Sequence, residues 1–335
     1  MEICSRQIHS LERQTKTTEG MNVAMAANIT FGSGISFRRI NACTITKRIS
    51  AISQVAVIVL PRRISELRNK EIRDLIQRND AVTIELGYNG ELIEEFKGTV
   101  TNVGAGIPVE ITCRDEMYLI MQQPYTSSFE ECHVPTLLSN LLPKGTVIDA
   151  LDVTIGPQAF KKVTVGEVLK YLSDEYSLYT FMKGGVVYCG KRFDAAPVTH
   201  TYVMEELVKE DSLTFKDADE IRIKVEATSV LTNGDRFTVT VGDEDGEIRK
   251  LSYFNVATET ELKKLAELDL DKFKYSGYEG TLTGYGSPAC DYADYAKVVS
   301  RQFPERDATV LIEEVVIKFD DSPGYSRKMT LNGAV

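Results

Sequence analysis

The sequence predicts an α+β protein that is mainly β, with two β-rich units flanking a small mixed one. Three observations carry this. Apolar residues alternate with polar ones at a period of two in several segments. Tight-turn dipeptides fall between those segments, at Asn89-Gly90, Gly184-Gly185 and Asn233-Gly234. Only two segments combine a helix-capping start with an apolar stripe at helical spacing, one after Thr164 and one after Thr258.

In chain order, residues 1–27 read as an N-terminal extension, with Met21 a second candidate translation start. Ile29 to Phe37 and Asn41 to Ile49 read as a first strand pair, and Val55 to Leu60 as a short apolar strand closed by Pro61. Ser65 to Arg78 reads as a helical or irregular connection that carries Leu67, Ile72, Leu75 and Ile76.

The stretch from Gln77 to Met117 is the most informative. Val82, Ile84, Leu86 and Tyr88 alternate with Thr83, Glu85 and Gly87, so one face meets a core and the other water. Asn89-Gly90 tolerates the positive φ of a hairpin turn. The chain returns through Glu91 to Val103 and alternates again at Val109, Ile111 and Cys113, completing a meander.

A mixed unit is expected over 126–199. Thr164-Val165-Gly166-Glu167 is a capping box, followed by Val168, Leu169, Leu172 and Tyr176 on one stripe. A hairpin over Tyr179 to Cys189 closes the unit. Strand alternation then resumes at Ile221, Ile223, Val225 and Ala227, and at Phe237, Val239 and Val241. A helix from Thr258 buries Leu262, Leu265 and Leu268, and the last strands run through Val310 to Phe319 and Ser326 to Leu331. The division expected is therefore 1–27, 28–125, 126–199 and 200–335, the last with a helical insertion near 258–274.

At 335 residues the chain exceeds one ordinary core. A 43% hydrophobic content and a mean hydropathy of −0.16 are those of a globular protein. The 49 acidic residues exceed the 39 Lys and Arg, giving a net charge of −10, which argues against binding nucleic acid or anionic membrane non-specifically. The arginines at 62, 63, 68, 73 and 78 form one basic stretch, but no aromatics interleave for base stacking. Met21 to Ala27 is too short to span a bilayer, so no stable membrane insertion is expected.

The search for chemistry assigns no catalytic, cofactor-binding or metal-ligating residue. Cysteines at 4, 43, 113, 132, 189 and 290 form no CxxC pair and read as reduced, buried apolar residues. Of three histidines, His9, His133 and His200, only His133 adjoins a cysteine, and neighbours on a strand point to opposite faces. The acidic run 242–247 fails as a calcium loop: counted from Asp243, Ile248 stands where glycine is needed and Phe254 where a bidentate glutamate is needed. It reads instead as a solvated hairpin tip. Gly104-Ala105-Gly106 lacks the rest of a phosphate-binding loop. Carboxylate doublets at 94–95, 130–131, 205–206 and 313–314 show no cleft by themselves.

Several short stretches, in order, resemble the baseplate hub proteins of tailed phages, the group of contractile-tail hubs, the late control protein family and prophage tail proteins. They are Ile76 to Val82, Leu86 to Gly90, Phe96 to Val100, Ile111 to Asp115, Thr164 to Tyr179 with the hairpin ending Tyr188-Cys189-Gly190, and Gly324 to Leu331. The resemblance covers most of Ile29 to Leu331. It implies two β-barrel-like domains per subunit and a homotrimer whose ring has pseudo-sixfold symmetry. It also implies tail tube or distal tail protein and spike protein as partners, placement in the virion tail after synthesis in the bacterial cytoplasm, and no cofactor or catalytic residue. The acidic balance suits a channel through which DNA or protein passes without sticking. A contractile-injection or type VI-like hub is the near alternative. A carbohydrate-binding or glycan-degrading tail module is the distant one, and without tryptophan its stacking platform would come from the fifteen tyrosines.

Overall fold

The computed structural model describes residues 24–61, 71–191, 198–322 and 324–334. Strand accounts for 52% and helix for 17%, so the α+β, mainly β class holds. Cys4, His9, Met21, Arg62, Arg63, Leu67 and Arg68 lie outside the described residues.

The first β unit contains β1 (Met25–Phe31), β2 (Ser36–Phe37), β3 (Ala42–Arg48), β4 (Val55–Leu60), a one-turn helix α1 (Ile72–Leu75), β5 (Ala81–Tyr88), β6 (Glu91–Val103) and β7 (Val109–Arg114). The meander β5–β6–β7 stands where the alternation placed it. Val82, Ile84, Leu86, Val109, Ile111 and Cys113 are all buried, and Asn89 and Gly90 take positive φ in the turn. Two expectations are corrected. Residues 25–27 belong to the first strand rather than to an extension. The segments 29–37 and 41–49 do not pair: β1 lies on β5 and β2, whereas β3 lies on β4 and on the late strand Ala308–Asp320. Periodicity marks a strand's faces and is silent about its neighbours.

The mixed region follows with α2 (Met117–Met121), β8 (Pro124–Phe129), β9 (Cys132–His133), α3 (Val134–Leu141), β10 (Val147–Ala150), β11 (Thr154–Ile155), β12 (Gln158–Thr164), α4 (Val165–Tyr176), β13 (Tyr179–Lys183) and β14 (Val186–Gly190). The capping box forms in full: the Glu167 amide donates to Thr164 Oγ1 at 3.2 Å and the Thr164 amide to Glu167 Oε2 at 2.6 Å. The stripe Val168, Leu169, Leu172 and Tyr176 is buried.

The last part holds β15 (Thr199–Val203), α5 (Met204–Leu207), β16 (Val208–Lys216), β17 (Ile223–Val230), β18 (Arg236–Gly242), β19 (Glu247–Phe254), α6 (Glu259–Phe273), β20 (Gly277–Tyr285), β21 (Tyr295–Val299), β22 (Ala308–Asp320) and β23 (Ser326–Ala334). The helix expected from Thr258 is α6, whose cap is that threonine. Leu262 and Leu265 are buried as expected, while Leu268 is only half-buried and lines a cleft.

The acidic run 243–246 is not a hairpin tip. β18 runs antiparallel and β19 parallel to β17, one on each side, so the run crosses beneath the start of β17. Asp243 and Asp245 are tied there to Lys274 and Arg222. Gly242 and Gly246 have no room for a side chain at this crossing. A Cβ on Gly246 would come within 2.5 Å of the Ile223 backbone, and Gly242 holds a φ of +98° with the Ile223 carbonyl as near.

Strands of both β units join one thirteen-stranded sheet, ordered β16-β20-β23-β22-β3-β4-β7-β6-β5-β1-β2, with β21 also on β22 and β15 on β21. No closed barrel forms among the described residues. The physical reason lies at β22, whose edge binds β21 along its first half and β3 along its second, so that the two units open into one another. One hydrophobic core lies along this sheet and draws on 27–113 and 202–331. A second core combines 117–189 with Ile223, Val225, Ala227, Val241, Tyr253 and the buried face of α6. Residues 223–266, expected with the last β unit, thus pack on the mixed region instead.

Candidate functional site: the sheet junction, its buried ion pairs and its free edge

The junction is a ladder of seven antiparallel partners, from Glu314 opposite Arg48 to Asp320 opposite Ala42. Cys43 and Ile45 on β3, and Val315, Ile317 and Phe319 on β22, are buried along it. Lys47 reaches Asp291 at 3.0 Å, and Arg48 lies 3.7 Å from Glu314.

A buried ion pair crosses between the same two units. Arg327 on β23 is 1% exposed and Glu95 on β6 is 4% exposed, and the guanidinium donates directly to the carboxylate. Its remaining donors reach the Gly286 carbonyl at 2.8 Å, the Cys290 carbonyl at 3.0 Å and the Tyr325 hydroxyl at 3.1 Å. Tyr325 in turn donates to Glu95, and Tyr88 donates to the Tyr325 carbonyl at 2.9 Å. Burial by itself would lower the Arg327 pKa, but the charge and hydrogen bond of Glu95 together with the neighbouring Tyr325 and Cys290 drive it up. With its donors matched in this way, the charge is held rather than presented to a substrate.

Two more ion pairs anchor neighbouring elements. Lys183 on β13 donates to Asp294 at 2.7 Å and to the Tyr292 carbonyl at 2.7 Å, while His200 lies 3.3 Å from the other Asp294 oxygen. Burial would raise the Asp294 pKa, but the hydrogen bonds from His200 and Lys183, with the Lys183 charge, hold it down at about 2. Lys191 beside β14 donates to Asp269 of α6 at 2.5 Å and to Tyr253 at 2.8 Å. Its pKa is lowered by burial, with Asp269 opposing. The first pair ties the mixed region to the sheet, and the second joins the two parts of the second core.

The other chemistry-bearing residues stay apart. Cys132 is buried while His133 points outward to Asp152 and Thr136, at 2.8 and 3.0 Å, so they form no working pair. Burial pushes the Cys132, Cys189 and Cys290 thiols up to about 11 and Cys113 to about 12, away from the reactive thiolate. Among the described residues no group of His, Cys, Asp or Glu is placed to hold a metal ion, and no helix is long and apolar enough to cross a membrane.

Two clefts adjoin these elements. One, of about 190 Å³, is lined by Arg48, Lys191, Lys272, Glu313 and Glu314 with one aromatic, Tyr179. The other, of about 750 Å³, brings Phe215, Phe273 and Tyr275 near Glu220, Glu247 and Glu279. Two of its carboxylates are engaged, Glu279 with Lys216 and Glu247 with Arg249. Phe215 meets Tyr278 edge to face, and Tyr275 is buried with its hydroxyl on Asn332. The aromatics therefore pack inward rather than forming a platform.

The remaining feature is the open end of the sheet. Among the described residues β16 pairs with β20 on one edge only, and Lys209 to Ser212 are exposed on both faces. Sequence reasoning found none of these ion pairs, because Glu95 and Arg327 are 232 positions apart. The traces were Arg327 within the closing stretch that resembled the hub proteins and Glu95 within a carboxylate doublet.

Solved structures share this fold. A tail protein from Neisseria meningitidis MC58 matches with a TM-score of 0.64 at 13% identity, over 92% of this chain and 96% of that one. The 43 kDa tail protein of prophage MuSo2 from Shewanella oneidensis matches at 0.61 and 16%, over 92% and 98%. The E. coli c3393 protein, described as a type VI secretion component structurally similar to the T4 tail proteins gp27 and gp5, matches at 0.56 and 10%, over 95% and 76%. The likeness drawn from the sequence is thus met at the level of the fold. No family model matches the chain, and no curated protein matches its sequence.

Proposed function

We propose that the protein is a structural component of a phage or prophage tail, a baseplate hub that forms a homotrimeric ring between the tail tube, or a distal tail protein, and the spike. One observation supports this reading above all others: two β units are fused edge to edge through β22 and β3 and locked by Arg327 and Glu95, in a fold shared with tail proteins along nearly the whole chain. Such a part needs sheet edges and polar faces that mate with copies of itself, and no cofactor. The matched buried charges and inert thiols support a non-enzymatic role, in the virion.

We propose a domain division that follows the packing. The sheet strands of 25–114 and of 199–216 with 277–334 are the two β domains, and 117–190 with 223–273 is one composite mixed domain. A second reading, a hub of a type VI-like system, is favoured by the likeness to the E. coli c3393 protein over 95% of this chain. The inward-packed aromatics of the larger cleft speak against the glycan-binding reading.

The test is native mass spectrometry with negative-stain class averages of the purified, concentrated protein. Threefold rings with a central opening are expected. Single copies at every concentration, with or without tail-tube and spike proteins, would overturn the proposal.

A further inference from the structure

The strand order contains a duplication. In the first unit β3, β4, β7, β6 and β5 are neighbours in that order, every contact antiparallel. In the second unit β16, β20, β23, β22 and β21 are neighbours in the same order, again all antiparallel. Chain order corresponds as well: each module is two strands followed by a three-stranded meander whose middle strand, β6 or β22, has thirteen residues.

The registers agree too. Ala56 opposes Cys113 as Gly280 opposes Leu331, which sets β4 on β20 and β7 on β23, with buried Ile111 on buried Met329. Ile45 opposes Ala56 as Leu213 opposes Gly280, which sets Ile45 on Leu213. Val100 and Val103 oppose Cys113 and Ile111 as Ile312 and Val315 oppose Leu331 and Met329, which sets Val103 on Val315 and the register shift of β6 on that of β22. The fifth strands check this independently, since Thr99 opposes Ala81 as Leu311 opposes Tyr295, at the same offset.

The internal junction is then a contact between the second half of one module's long strand and the first strand of the other, with Ile317 opposite Ile45. Each module carries both halves of that contact, and the chain uses each half once. Left over are the outer edge of β16, equivalent to β3, and the segment 102–108, equivalent to Glu314–Asp320. Among the described residues no strand covers the outer edge of β16, and beyond Thr99 the β5 side of β6 is met only at Val100, by the backbones of Asn79 and Asp80. Ile107 in that segment is 71% exposed.

We infer that the outer edge of β16 is the docking edge for a second copy of this chain, which lays its segment 102–108 along it and repeats between copies the β22–β3 junction. This rests on the proposed homotrimer and names its contact. A head-to-tail contact of this kind uses different surfaces on the two partners and closes into a ring when the rotation allows. Residues 102–108 carry no charge, so nothing in them repels Glu210 and Asp211 of β16. Leu213 of one copy then faces Ala105 of the next, with cross-strand Cβ atoms close enough to bridge.

The test pairs Leu213→Cys with Ala105→Cys in the full chain carrying Cys4→Ser, the five described cysteines being buried. Under mild oxidation the monomer band is expected to pass into covalent multimers on non-reducing gels. Each single variant is expected to remain uncrosslinked, and so is the pair Lys216→Cys with Ala105→Cys, displaced by about 10 Å along the strand. Hydrogen exchange of the unmodified protein gives a second readout, with β16 amides slowing as concentration rises. A multimer by native mass spectrometry that neither crosslinks nor protects β16 would overturn this edge while leaving the ring proposal standing. A protein that stays monomeric throughout would overturn both.

Discussion

The two five-stranded modules share order, direction and register, yet they differ in continuity and in how their first strands are covered. The first module passes from β3 straight to β4, whereas the second leaves the sheet after β16, builds β17 to β19 and α6, and returns at β20. The ladder survives this excursion for two reasons. Closing a longer loop costs little extra entropy. The excursion also buries its own apolar face, with Val225, Ala227, Leu262 and Leu265 packed against the mixed region. The second difference is that β3 is covered by β22, while among the described residues no strand covers the outer edge of β16. The same device is thus satisfied within the chain at one site and left open at the other.

The covered junction can be broken at its ion pair. Arg327→Met leaves Glu95 buried without its partner and is expected to cost about 4 kcal/mol in urea unfolding, most of it recovered by adding Glu95→Leu. A single variant as stable as the parent would show that the pair does not hold the two modules.

The attachment of the mixed region is a step weaker. The Asp294 pKa in the folded chain is depressed to about 2 from an ordinary 3.8, so its contribution is fully present above about pH 4 and is lost as pH falls towards 2. Asp294→Asn is expected to cost about 2 kcal/mol at pH 6 and much less at pH 2, read from urea midpoints at the two values. An equal loss at both would assign the effect to packing.

The excursion's crossing comes next. Gly246→Ala pushes a methyl group into the Ile223 backbone and is expected to destabilise by on the order of 1–2 kcal/mol, with faster amide exchange concentrated in β17 to β19. Unchanged exchange there would mean that the crossing yields freely. Thr164→Ala removes the cap of α4 and is expected to lower stability by about 1 kcal/mol, detectable as a lower thermal midpoint. The smallest effect belongs to the bare edge. Asp211→Lys is expected to leave monomer stability within about 0.5 kcal/mol, since the residue is exposed on an edge strand. A larger loss would show that β16 is braced from within.

Much of the secondary structure was legible because the relevant physics is local. The Thr164–Glu167 box is four residues long and the Asn89-Gly90 turn is two, and both formed as read. The pairing of β1 was misread, since its neighbour β5 lies more than fifty positions away and no local signal separates it from β3. The run 243–246 was misread for a related reason: polar composition suits a tip and a crossover equally, and only the position of β17 distinguishes them.

By itself the sequence determined the strand faces, the helix caps, the absence of a recognised nucleophile or metal motif, and a likeness to tail proteins that the fold shares. Each of these depends on residues near one another along the chain, where side-chain period and capping chemistry act. Only the tertiary structure decided that two similar modules merge through β22 and β3, that Glu95 meets Arg327, and that β16 is left bare. Those outcomes depend on which edges meet, and a strand's hydrogen-bonding edges are made of backbone that is nearly the same for every residue type.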